Sequence, residues 1–250
     1  MTMTAELHTF LRSVCVEVGR SVALISPVLF TAALGCAAWV VSDDLGAGVR
    51  DRVGGTLVAF ISLGAVFLAL GMVCDPQRSA RDFLRAALLW MPVKPVRSQI
   101  PAVLWWLPVI AIAIGGSLAF GLWVDASTPS LLPGEAAAVS LRQESPGGVL
   151  LTVVHAAGEE AVFRVLPVGG ALVVATFFAK AWVRRVLLTV VAVVSSVCFG
   201  LLHQEFGVTN VISAAFSGLV YAAMVVLSRS LWPAVVAHAG FNLLVLALLA

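Results

Sequence analysis

The sequence predicts an all-α protein of the polytopic membrane class, a transmembrane helical bundle of seven to eight spans. Three observations carry this. Of its 250 residues, 61% are hydrophobic and only 11% charged, with a mean hydropathy of +1.06, which is the composition of an integral membrane protein. The apolar residues gather in runs at 20–41, 53–73, 100–124, 148–179, 186–203, 209–228 and 232–250, most of them near the about 20 residues that cross the hydrocarbon. Backbone polar groups in lipid must be satisfied within the segment, so each run is expected to be a helix.

The first run follows a polar leader and is long enough to cross, so it reads as an anchor rather than a cleavable signal. After the second run, Arg78, Arg81 and Arg85 fall at helical spacing beside Phe83, Leu84, Leu88 and Trp90. An in-plane interfacial helix is expected over 76–99, ended by Pro92 and Pro95. Trp105, Trp106 and Trp123 lie near span ends, where amphipathic rings anchor a helix at the headgroups. Residues 126–147, rich in Ser, Thr, Pro and Gly, read as an external loop.

The run 148–179 is too long for one straight crossing, and Pro167 with Gly169-Gly170 marks the expected break. It reads as one crossing plus a short interfacial or re-entrant piece, or as two short crossings. Loop charges favour the first. With one crossing there, Arg12, Arg20, Arg78, Arg81, Arg85, Lys94, Arg97, Lys180, Arg184, Arg185 and Arg229 share a side, and only Arg50, Arg52 and Arg142 lie opposite. That asymmetry puts the N-terminus inside and makes seven spans the expectation, with eight as the alternative. Two regions follow: 1–147, N-terminal transmembrane helices and an interfacial segment, and 148–250, where the chemistry-bearing residues lie.

Several function classes drop out. A net charge of +2 makes no case for nucleic acid. The four cysteines are scattered and contain no CxxC pair, so neither a disulfide framework nor a thiolate metal site is implied. The expected partner is the lipid bilayer, in a bacterial cytoplasmic membrane.

The chemistry lies in polar residues that a membrane should forbid. Glu159, Glu160 and Arg164 stand in one apolar run, His203 ends a second, and His238 and Asn242 stand in a third. Each intramembrane charge costs about 2.5–3.5 kcal/mol even on insertion scales, so a common site around an intramembrane cavity is expected. Residues four apart share a helix face about 6 Å apart along the axis. His155, Glu159 and Phe163 form one stripe, and Glu160 and Arg164 the adjacent one, in the favourable order for an ion pair. That pairing leaves Glu159 without a local countercharge and makes it the better working carboxylate. Phe199 and His203, then His238 and Asn242, repeat the spacing. A carboxylate and an imidazole around one water suffice for general-base hydrolysis, with Glu159 taking the proton and His203 holding the water. His238 and Asn242 carry donors for a developing oxyanion. Two histidines and a glutamate are equally a zinc ligand set, here Glu159, His203 and His238. No HExxH is present, however, because His155-Ala-Ala-Gly-Glu159 has the wrong order.

Glu159-Glu160-Ala-Val-Phe-Arg164, Phe199-Gly-Leu-Leu-His203 and His238-Ala-Gly-Phe-Asn242 together resemble the EExxxR, FxxxH and HxxxN motifs of the CPBP family. These are the CAAX-prenyl-protease and bacteriocin-processing (Abi) membrane proteins. Ser230-Leu-Trp-Pro233 is also similar to the family's lead-in to the third motif. The resemblance covers about 148–250. It implies a glutamate-dependent intramembrane endopeptidase acting on a membrane-associated peptide or protein, prenylated or a peptide precursor. It implies that Glu159 and His203 activate water, that His238 and Asn242 form the oxyanion hole, and that Glu160 and Arg164 support the site. A metal-free mechanism is favoured, with a divalent metal such as zinc as the other option. His155 lies outside the motifs, either as a donor to Glu159 or as a polar residue facing the bundle. Two rivals come from other classes: a non-proteolytic membrane adaptor on the same scaffold, and a proton- or metal-coupled transporter, which no paired repeat supports.

Overall fold

The computed structural model describes residues 14, 16, 19, 22–23, 25–41, 50–74, 99–127, 146–175, 178–228 and 230–249. Each of the seven apolar runs corresponds to a helix there. We label them α1 (Ile25–Val41), α2 (Arg50–Cys74), α3 (Gln99–Ser127), α4 (Pro146–Glu160), α5 (Gly170–Ala175), α6 (Ala181–Leu201), α7 (Val208–Ser228) and α8 (Trp232–Leu249). Among the described residues no strand occurs. The segments 106–127, 181–201 and 208–228 are long and apolar enough to cross a membrane; Ile25–Val41, Val58–Gly71 and Trp232–Leu248 are shorter apolar helices. The in-plane helix expected over 76–99 and the loop expected over 126–147 lie almost wholly outside the described residues.

Polarity runs inside-out relative to a water-soluble protein. Ile112 is 73% exposed and Leu227 76%, while Glu160 and Arg164 are at 0%. An apolar exterior around a charged interior is what lipid as a solvent selects. Helices in lipid gain little from burying apolar surface against one another, so close contact is made by small residues. The α6–α7 crossing shows this: a Cβ on Gly200 would stand 2.6 Å from the Val211 carbonyl and 2.7 Å from the Ala215 Cβ. One turn away, Ser196 on α6 faces Gly218 on α7. Helix α3 packs on both α7 and α8, and α8 also packs on α4. The core where these elements meet includes Val28, Ile110, Val165, Ala222 and Ala237.

The break expected at Pro167 and Gly169-Gly170 is absent. The chain stays helical from 146 to 175, but residues Ala161–Gly169 are wound as a π-helix. Gly170 returns to ordinary α-helical dihedrals (φ −57°, ψ −45°). Proline explains the difference. In an α-helix the Phe163 carbonyl would pair with the N–H of residue 167, which Pro167 lacks. In the π winding carbonyls pair five residues on, past the proline, and Ser195 on α6 also donates its hydroxyl to the Phe163 carbonyl. The proline therefore widens the helix and docks it onto α6 without ending it, and π segments of this kind recur at functional sites.

Ser195→Ala is expected to cost about 0.5–1.5 kcal/mol by removing that interhelical hydrogen bond. The cost should shrink markedly in a Pro167→Ala background, where residue 167 regains an N–H. Unfolding in detergent of the two single variants and the double variant measures this coupling.

Candidate active site

The polar residues of the three motifs come from four places. Glu159 and Glu160 end α4, Arg164 sits on the π segment, His203 follows α6, and His238 and Asn242 lie on α8. Adjacent positions on a helix point about 100° apart, so Glu159 and Glu160 present two different faces. One ring bridges them. The His238 Nδ1–H donates to Glu160 Oε1 at 3.0 Å, and its Nε2 edge faces Glu159 Oε2 at 3.6 Å. The bond to Glu160 fixes which ring nitrogen carries the proton in the neutral form. Glu159, Glu160 and His238 are all buried.

The spacing argument for Glu160 and Arg164 corresponds to a contact: Nε lies 3.4 Å from Oε2. Glu159, expected to lack a local countercharge, is flanked by two imidazoles. His238 faces one of its oxygens and His155 the other, with His155 Nε2 3.4 Å from Glu159 Oε1. A neighbouring helix supplied the partner that one-helix reasoning could not see.

His203 lies beyond the end of α6, in the turn that leads into a short 3₁₀ segment (Gln204–Phe206). Its ring folds back, and Nδ1–H donates to the Phe199 carbonyl at 2.9 Å. The helix does not run on to carry His203 inward; the turn and this bond orient it, leaving Nε2 as the unprotonated edge of the neutral ring. It stays within electrostatic range of Glu159. His155, His203 and Asn242 are partly exposed, whereas Glu159 and Glu160 are buried.

Phe199 joins these parts. Its ring meets His203 (centroids 4.7 Å apart), His238 (5.6 Å, at 89°) and Phe163 (5.4 Å). The Arg164 guanidinium carbon lies 4.8 Å from its centroid, a cation–π distance that helps hold a buried cation. Gly218 makes the room: a Cβ there would stand 3.0 Å from an Arg164 terminal nitrogen and 3.1 Å from the Phe199 ring. Tyr221 stacks on the other side of the site, its ring 5.3 Å from that of His238 at 23°. The motifs give no sign of Tyr221. Its only sequence signal is being the sole tyrosine, placed within an apolar run.

Among the described residues no three His, Cys, Asp or Glu side chains are arranged to hold a metal ion. His203 and His238 each give Nδ1–H to a protein oxygen, so Nε2 is the unprotonated edge of either neutral ring, an orientation that suits a water-binding and a metal-binding imidazole alike.

Removing one member of a buried charge pair strands the other. Glu160→Ala should lower stability by about 3–5 kcal/mol, because both Arg164 and His238 lose their carboxylate. Glu159→Gln keeps the shape and should move stability far less. Denaturation of both variants in the same detergent makes the comparison.

Residues 142–244 match the family model described as Rce1-like, type II CAAX prenyl endopeptidase. No curated protein and no solved structure matches the chain. The matched residues include the whole α4-to-α7 succession and most of α8, and with them every motif residue of the site. Over these residues the chain is similar to the type II CAAX prenyl endopeptidases that the family model describes.

Proposed function

We propose that this protein is a glutamate-dependent intramembrane endopeptidase that hydrolyses a peptide bond of a membrane-associated substrate. The observation that carries the reading is the convergence of Glu159, Glu160 and His238 from two helices in one buried contact, with His203 in range. Buried acids and imidazoles at this density are costly in a membrane, and such groups mark functional sites there.

These positions, together with the family likeness, support the following chemistry. Glu159 takes a proton from water as the water oxygen bonds to the scissile carbonyl carbon. His203, with Nδ1–H held by the Phe199 carbonyl, presents Nε2 as an acceptor that orients the water. The tetrahedral oxyanion is met by the Asn242 amide and, in the doubly protonated ring, by the His238 Nε2–H. The C–N bond then breaks, and Glu159 returns its proton to the leaving amine. Glu160 holds the His238 ring through Nδ1, and Arg164 balances Glu160. No step calls for a metal. The substrate class follows the family: a prenylated tail, whose lipid would lie in the bilayer beside the cut, with a peptide precursor as the alternative.

The test is cleavage by the reconstituted chain of an internally quenched peptide bearing a farnesylated cysteine, and of an unlipidated peptide library, read by mass spectrometry. Glu159→Gln should lower turnover by about 10³-fold, within the range for a general base. Asn242→Ala should lower kcat by about 10²-fold, as for loss of an oxyanion donor. Equal turnover by wild type and Glu159→Gln would sink the proposal, and wild type cutting nothing would favour an adaptor. Stoichiometric metal in the active preparation would overturn the metal-free mechanism.

A further inference from the structure

Glu159 is flanked on both of its oxygens, and only one flank comes from a motif. His155, one turn earlier on α4, faces Oε1 and belongs to none of the three motifs. His155 is itself met edge-to-face by Trp39 of α1, with ring centroids 6.3 Å apart at 82°. The same indole meets Phe163 at 5.9 Å and 64°. His155 and Phe163 stand four residues before and four after Glu159, so one indole spans the stripe that carries the carboxylate.

The backbone is built for this approach. A Cβ on Gly158 would lie 2.5 Å from the Trp39 backbone nitrogen and 2.6 Å from its Cβ. Gly35, one turn earlier on α1, abuts Ala161 in the same way. Two glycines, one on each helix, thus let α1 press against α4 where the carboxylate lies. Residues 25–41 lie outside the family-matched region.

We propose that His155 is a positioning residue for Glu159, and that Trp39, delivered by α1, holds His155 and covers that side of the carboxylate. This rests on the reading of Glu159 as general base. A glutamate side chain has rotatable freedom, and a base displaced by about 1 Å can lose 10²-fold in rate. An imidazole on Oε1 pins the carboxylate so that Oε2 stays turned toward His238. An edge-to-face aromatic contact fixes the imidazole in turn. The other titratable groups around Glu159 are Glu160 on α4, His203 after α6 and His238 on α8, with Arg164 behind Glu160.

The test uses the full chain reconstituted in vesicles and two readouts. With the farnesylated quenched peptide, His155→Ala should lower kcat by about tenfold or more and leave KM within about twofold. His155→Gln, whose amide nitrogen reaches the position of Nε2, should recover most of that loss. Trp39→Ala should reproduce the loss and Trp39→Phe should not, and the double variant H155A/W39A should be no slower than H155A, because coupled residues are not additive. The second readout needs no substrate: modification of Glu159 by dicyclohexylcarbodiimide, followed by mass spectrometry, should be several-fold faster in His155→Ala and Trp39→Ala than in wild type. Wild-type kcat and labelling rate in His155→Ala, or losses that multiply in the double variant, would overturn the proposal. Wild-type turnover in Glu159→Gln would instead overturn the general-base reading, and the labelling rates would still decide whether His155 and Trp39 shield that carboxylate.

Discussion

The arrangement depends on one imidazole shared between two neighbouring carboxylates. Glu159 and Glu160 diverge around α4, so a ring that touches both must enter along the seam between their faces. That requirement sets the rotation of α8 and its place against α4. It also explains why charge is tolerable there. An isolated carboxylate in a low-dielectric interior is prohibitive, but a chain of contacts from His155 through Glu159, His238 and Glu160 to Arg164 leaves no ionised group alone. Breaking the chain at Glu160 strands two partners; breaking it at Glu159 strands none so deeply.

The second constraint is the room that a buried arginine needs. Arg164 cannot reach solvent, so its guanidinium lies against the Phe199 ring in space left by Gly218. The π segment begins immediately after Glu160 and contains Arg164, so the side chains of the first motif cross from one helical geometry to another. Pro167, three residues further on, supplies the cause by withholding an N–H. Ser195 answers from α6, the helix that also leads to His203. Winding and the geometry of the candidate site therefore share the α6 contact, so a change at Pro167 or Ser195 is expected to act on the site without touching its polar groups.

What the sequence made legible was local. The helices follow from apolar runs, because lipid leaves the backbone no alternative. The Glu160–Arg164 contact follows from the four-residue spacing. What stayed hidden depended on how one helix is turned against another. Nothing in α4 alone reveals that His238 touches both glutamates. The Phe199–His203 spacing suggests a continuous helix, whereas the chain turns at Leu202 and the ring returns through its own hydrogen bond. Pro167 was visible as a disturbance, but it read as a break because the compensating donor sits on another helix. Tyr221 and Trp39 had no signal beyond their aromatic character, since stacking partners are chosen by packing rather than by spacing.

The division between matched and unmatched residues has a physical meaning for the site. Residues 142–244 hold every group to which the chemistry is assigned. Yet the orientation of those groups is shared with helices outside that region. Gly240 on α8 lies two residues from both His238 and Asn242, and a Cβ there would stand 2.8 Å from Ile114 of α3. Helix α1 reaches the opposite flank through Gly158. On the proposed reading the matched region holds the reacting groups, while the packing of α1 and α3 bears on how tightly they are held. Because the first role tolerates few residue types and the second only demands a fitting surface, motif recognition should fade where α1 and α3 begin, although both helices bear on the same carboxylate and imidazole.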